Sequence, residues 1–145
     1  MSNDDETGVM QFKISKGTEE IPRLAEEVET YLDEAGLDGA IAMSINLCLD
    51  ELLTNTIHYG YESKPLKYDI TVSVSVEDNE LTIEIVDDGA PFDPTTESQA
   101  PDLESALEER RVGGLGIHLA KTLSDKMCYQ LDAIGRNHLT ILKRI

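Results

Sequence analysis

The chain has 145 residues, and its 29 Asp and Glu against 12 Lys and Arg give a net charge of −17. So acidic a chain is not expected to bind nucleic acid or an anionic membrane, because both need positive surface. A polyanionic ligand would need local help here, from backbone N–H groups, a metal ion or a few arginines; the charge itself reads first as an acidic, solvated surface, with attraction to a basic partner as the alternative.

A hydrophobic content of 40% suits one compact domain, and the lack of Trp with only two Phe makes its core mostly aliphatic. Cys48 and Cys128 are too few for a disulfide framework and are expected as buried free thiols in a reducing compartment. The first residues lack the basic and apolar regions of a signal peptide. No apolar run reaches the length of a membrane span, so the expected location is cytoplasmic.

Residues 1–8 read as a flexible acidic tail before a single domain over 9–145. Val9 to Ile14 alternates as a strand. Thr18 is expected to cap a helix carrying Ile21, Leu24, Val28 and Leu32, with Glu19 and Glu20 at its positive end; Gly36 ends it. Asp38 is expected to cap a second helix with Ile41, Ile45, Leu49, Leu52, Leu53 and Ile57, stopped by Gly60.

Ile70 to Val76 and Leu81 to Ile85 alternate as two strands joined by a tight turn at Glu77-Asp-Asn-Glu80. Residues 88–112 are long for a loop in a small domain, which points to a lid or binding loop. Gly114 to Met127 has helical periodicity. Strands over Cys128–Ala133 and His138–Ile145 flank a turn at Gly135-Arg-Asn137. The expected fold class is an α/β, two-layer sandwich, with a mixed, mainly antiparallel sheet and helices on one face.

Several residues can carry chemistry. Glu51 and Asn55 share one face of the second helix, one turn apart. Glu51 can serve as a general base, or be an ordinary solvated glutamate; Asp50, about 100° around the helix, is the more solvated of the two. Asn55 offers an amide oxygen suited to magnesium, or an amide bonded within the fold. His58, near the helix's negative end, suits a structural role.

Asp87 closes a strand and Gly89 follows. A carboxylate there can accept a hydrogen bond from the amino group of adenine, where guanine presents a carbonyl; Asp-Asp-Gly can equally be a plain turn. Gly113, Gly114, Leu115 and Gly116 open a helix whose N–H groups can meet phosphate, with Arg110 and Arg111 just before.

Taken together, Glu51-Leu-Leu-Thr-Asn55 with His58-Tyr59-Gly60, Asp87-Asp-Gly89-Ala-Pro-Phe-Asp-Pro94, and Gly113-Gly-Leu-Gly116-Ile-His-Leu resemble three ordered boxes of the GHKL (Bergerat-fold) ATP-binding superfamily. Within it, the chain is most similar to the bacterial anti-sigma serine/threonine kinases. The resemblance covers about residues 9–145. It implies Glu51 as general base, Asn55 as magnesium ligand and Asp87 as the adenine-reading carboxylate. Gly89 would lie by the base, Gly113 to Gly116 would line the phosphates, and a lid over about 95–112 would cover ATP.

It further implies an anti-anti-sigma-like protein substrate, possible binding of a sigma factor, and a homodimer. Three departures stand out. Pro91 replaces a glycine in the adenine box. Asn137 and His138 stand near the place of a threonine pair that often supports adenine, so no role is carried onto them. Neither a histidine-bearing dimerisation helix nor a transducer domain accompanies the ATP-binding region, which disfavours a histidine kinase and a free ATPase. The alternative to a kinase is a nucleotide-gated binding module.

Overall fold

The computed structural model describes residues 8–15, 17–61, 69–91 and 123–145. Five strands form one sheet: β1 (Val9–Ile14), β2 (Ile70–Glu77), β3 (Glu80–Asp87), β4 (Lys126–Leu131) and β5 (Asn137–Arg144). Their order is β1-β2-β3-β5-β4, and each neighbouring pair is antiparallel. A 3-10 turn (Thr18–Glu20) leads into helix α1 (Ile21–Glu34), and α2 (Gly39–Gly60) follows.

The sheet is two-sided because its strands alternate. Ile70, Val72 and Val74 of β2, Leu81, Ile83 and Ile85 of β3, and Leu139 and Ile141 of β5 are buried. The residues between them, such as Thr71, Ser73, Glu84 and Thr140, stay half-buried on the opposite face. The period of two sorts side chains onto opposite faces, so the apolar set builds the core. Leu24, Val28 and Leu32 of α1 and Ile45, Leu49, Leu52 and Leu53 of α2 complete that core. This is the two-layer α/β sandwich expected from the sequence. The sheet is antiparallel at every pairing, so it is simpler than the mixed sheet allowed for.

Local signals explain most boundaries. Asp38 Oδ1 accepts the Ala40 N–H at 2.9 Å, the N-cap of α2. Gly36 takes φ +84°, a left-handed value suited to glycine after a helix end. Asp78 and Asn79 both take positive φ, 52° and 64°, which is the two-residue hairpin geometry that matches strand twist. Tyr31 of α1 donates its hydroxyl to the Gly8 carbonyl and accepts the Val76 N–H at 3.0 Å. That clasps α1 to the starts and ends of two strands.

Four expectations need correction. Thr18 opens the 3-10 turn and does not cap α1, whose N-cap position is Glu20; Pro22 in the first turn makes a missing N–H harmless there. The Glu20 carboxylate instead accepts the Ser15 N–H at 2.9 Å. Met127 lies in β4, which begins at Lys126, so the helix preceding it ends earlier than its periodicity implied. Cys128 is exposed, while Cys48 is buried, because Cys128 sits on the edge strand β4 with its side chain off the core face. Asn137 belongs to β5 and not to the turn. The expected tail, and the lid at about 95–112, fall outside the described residues.

Candidate functional site

The site is built at one end of the sheet, where β3 stops and β5 begins. Asp87 is the last residue of β3, and its cross-strand partner is Asn137, the first residue of β5. Both are buried, at 7% and 5% exposed, unlike the polar residues elsewhere on the sheet. Buried polar groups need partners, and these two supply each other. The Asn137 Nδ2 donates to Asp87 Oδ1 at 2.9 Å and to the Gly89 carbonyl at 3.0 Å. The Gly89 N–H donates to the same Asp87 Oδ1 at 2.9 Å. The Tyr129 hydroxyl of β4 donates to Asn137 Oδ1.

Burial pushes the Asp87 carboxyl above its ordinary range, and the bonds from Asn137 and Gly89 oppose that rise. Among the described residues, Asp87 Oδ2 takes no hydrogen bond. One oxygen is therefore held by the protein, and the other is offered. A buried carboxylate with one offered oxygen, beside a buried glycine, fits the amino edge of adenine.

Helix α2 reaches this corner through Tyr61, its C-cap. The Tyr61 hydroxyl donates to Asp88 Oδ1 and accepts the Asp88 N–H at 3.1 Å. Burial, and then the bond to Asp88, push the phenol upward, so it stays a proton donor. Asn55 lies six residues before Tyr61, about 9 Å along the helix axis. It is 7% exposed, whereas Asp50 is exposed and Glu51 half-buried. The helical spacing sets Glu51 and Asn55 about 5–6 Å apart at Cβ. Burial, and then the charge of Asp50, raise the Glu51 carboxyl above the usual glutamate range. A base so raised works closer to neutral pH.

The second flank is the β4–β5 turn. Asp132 Oδ1 accepts the Ile134 and Arg136 N–H groups at 3.0 and 2.8 Å, and its Oδ2 meets His138 Nε2 at 2.9 Å. Arg136 bonds Asp69 at 3.1 Å, so the turn is tied to the segment before β2. His58 is exposed in the last turn of α2.

The structure thus brings Asp87 and Gly89 together, and α2, which bears Glu51 and Asn55, ends in Tyr61 bonded to Asp88 of the same loop. Gly113, Gly114, Leu115, Gly116, Arg110 and Arg111 lie outside the described residues. Sequence reasoning missed Asn137, Tyr129 and Tyr61. The first had a visible signal: Asn137, Leu139 and Ile141 alternate, which places the Asn on the core face. No three His, Cys, Asp or Glu converge as a metal site among the described residues. A magnesium ion held mostly by phosphate and water needs few protein ligands, and Asn55 places one buried amide on α2.

A buried carboxylate at the end of an antiparallel sheet, with a helix ending on the adjoining loop, belongs to a two-layer α/β domain whose class its relatives identify. The model of the histidine kinase-like ATPase domain matches residues 14–143, and the chain belongs to that family, the GHKL type. It is 29% identical over 102 residues to the serine/threonine-protein kinase BtrW of Bordetella bronchiseptica, covering 70% of this chain and 69% of that protein.

It is also 31% identical over 83 residues to an anti-sigma F factor of Thermoanaerobacter sp. strain X514. That match covers 57% of this chain and 56% of the factor, so it spans about half the relative's length. Among solved structures, the SiaB-SiaC complex from Pseudomonas aeruginosa contains a chain of the same fold. Its TM-score is 0.69 at 15% identity, covering 97% of this chain and 92% of that one.

Proposed function

We propose that the protein is an ATP-dependent serine/threonine protein kinase of the anti-sigma type, acting on an anti-anti-sigma-like partner. The observation that carries this reading is the buried Asp87 carboxylate, held through Oδ1 with Oδ2 offered, on a loop bonded to Tyr61 at the end of the helix that bears Glu51 and Asn55. Relatives named as a serine/threonine-protein kinase and an anti-sigma factor support it.

Bound ATP with magnesium would supply the phosphoryl group. Asp87 would accept a hydrogen bond from the adenine amino group, and Gly89 would lie by the ring. Asn55 would hold the magnesium ion through its amide oxygen. Glu51 accepts the proton of the attacking partner hydroxyl, and its raised carboxyl suits that task. The expected location is the cytoplasm, and the expected assembly a homodimer. Gly113 to Gly116 would close on the phosphates.

Glu51→Ala tests the base. ATP binding should persist while phosphotransfer to a partner, recovered by pull-down and read by mass spectrometry as phosphoserine or phosphothreonine, falls by about 100-fold or more. Undiminished phosphorylation would remove Glu51 from the role. A second reading, a nucleotide-gated module that holds a sigma factor or other regulator, is favoured by the −17 charge. Such a complex should weaken steeply with salt and leave no phosphate on its partner.

A further inference from the structure

The resemblance left no role for Asn137, yet this buried residue bonds both Asp87 and Gly89. Its amide can be oriented without ambiguity. The Gly89 carbonyl can only accept, so the group facing it must be the amide NH₂. The other side, Oδ1, faces the Tyr129 hydroxyl, which has a proton to give. Tyr129 pairs with Leu139, and Asn137 pairs with Leu131. An aromatic on that diagonal can reach across the strands to Asn137. Tyr129 therefore fixes the amide, and the amide fixes Asp87.

The chemistry of the carboxylate then follows. Oδ1 already accepts two N–H groups, from Gly89 and Asn137. A carboxylate oxygen has about two lone pairs, so Oδ1 has no further capacity. Only Oδ2 can meet a ligand, and an ionised oxygen can only accept. A group with a carbonyl at that position is rejected, because two acceptors would face each other. With the opposite amide orientation, Asn137 would present its own oxygen to Asp87, and the hold would become a repulsion.

We propose that Tyr129 and Asn137 form a positioning relay that holds Asp87 Oδ1 and leaves Oδ2 as the sole acceptor for a 6-amino purine, so that base selectivity in this chain is set by an asparagine on β5. The inference rests on the reading of this pocket as an adenine site. Asn137 and Tyr129 are positioning residues, since they act through Asp87. The other charged and titratable groups around Asp87 are Asp88 in the same loop, Arg136 in the β4–β5 turn and Tyr61 at the end of α2.

The test is calorimetric binding of ATP and of GTP, each with magnesium, between pH 5.5 and 8. The wild type is compared with Asp87→Asn, Asn137→Asp and Tyr129→Phe. Asn137→Asp puts a second carboxylate where the amide was, and the two groups must share a proton to coexist. Its ATP affinity should be about tenfold or more below wild type at pH 8 and recover as the pH falls. The wild type should instead lose affinity at the acid end, as Asp87 itself protonates. Opposite slopes are something a merely structural defect would not produce. Tyr129→Phe should raise the ATP Kd about three- to tenfold and narrow the ATP-over-GTP preference.

If the wild type prefers neither nucleotide, the adenine reading fails and the relay with it. If the wild type prefers ATP and Asp87→Asn loses that preference, the adenine reading stands. Should Asn137→Asp and Tyr129→Phe then keep wild-type affinity, preference and pH slope, the relay alone is overturned. If Asn137→Asp does not fold, Tyr129→Phe decides through the ATP-over-GTP ratio: a narrowed ratio supports the relay and an unchanged one overturns it.

Discussion

The Tyr61 hydroxyl donates to Asp88 Oδ1 while its ring is buried at 2% exposure, so the C-terminus of α2 and the loop after β3 are pinned by one side chain. The same hydroxyl accepts the Asp88 N–H, so it ties the helix bearing Asn55 to the loop bearing Gly89 by two bonds. Tyr61→Phe keeps the ring and deletes the bond. It leaves the Asp88 N–H without that acceptor, so the loss should be about 1–3 kcal/mol by urea unfolding. A larger fractional loss is expected in nucleotide affinity than in stability, because both halves of the site lose their common anchor.

Asp87 carries a cost in the folded protein without ligand. Its carboxyl titrates higher folded than unfolded, chiefly through burial. For a raised acid, stability is fully present below the unfolded pKa and is lost as pH rises through the folded one. At neutral pH, the ionised carboxylate therefore works against folding. Asp87→Asn keeps an oxygen for Gly89 and Asn137 and removes the charge. Its unfolding midpoint at pH 7 should equal or exceed wild type, and the wild type should gain on it as pH falls. The ATP-induced rise in Tm should disappear in the variant, while GTP should bind better than it does to wild type, since the new amide can donate to a carbonyl.

His138 predicts a second pH effect, of the same sign and independent of nucleotide. Its imidazole is bonded by Asp132 at 2.9 Å and lies 3.4 Å from Glu84, and the Asp132 bond above all raises its pKa. The protonated form is favoured in the fold. The added stability is full below the ordinary histidine value of about 6.5 and fades as pH rises through the raised one. His138→Gln should flatten the urea midpoint between about pH 6 and 8.5. Because the cluster is partly solvated, 0.5 M salt should shrink the wild-type slope.

Leu53 is fully buried against the sheet. Leu53→Ala should cost about 2–5 kcal/mol by the cavity it leaves. Arg136→Ala, by contrast, removes an ion pair with a partly exposed Asp69 and should cost under about 1 kcal/mol. If the second loss approached the first in equilibrium unfolding, the turn would have a structural role that its exposure does not explain.

The fold was legible where periodicity and punctuation agreed. Alternation over β2 and β3, the Asp78-Asn79 turn and the Asp38 cap were each readable because a local rule and the tertiary packing ask for the same residue. Thr18 was misread because a 3-10 turn intervenes before Pro22, and spacing alone does not reveal that insertion. Cys128 was misread because an apolar run does not say that its strand will lie at a sheet edge. Within the site, Asp87 and Gly89 are two positions apart in sequence, so a motif captures them. Asn137 lies 50 positions from Asp87, and only the β3–β5 pairing brings it there. Side chains joined by a ladder leave no mark in a linear pattern beyond the alternation of one strand.

That pairing has a consequence for how recognition arises. Asp87 faces Asn137 because β3 and β5 meet in one register, with Asp87 opposite Asn137 and Glu80 opposite Arg144. A slip of one residue would swing Asn137 to the outer face and bring His138 inward, since neighbours on a strand point to opposite sides. On the proposed adenine reading, nucleobase discrimination is a property of strand alignment as much as of any residue. A chain that has paired its last hairpin wrongly would lose its preference for one purine, and the ligand would favour correctly aligned molecules over slipped ones by mass action.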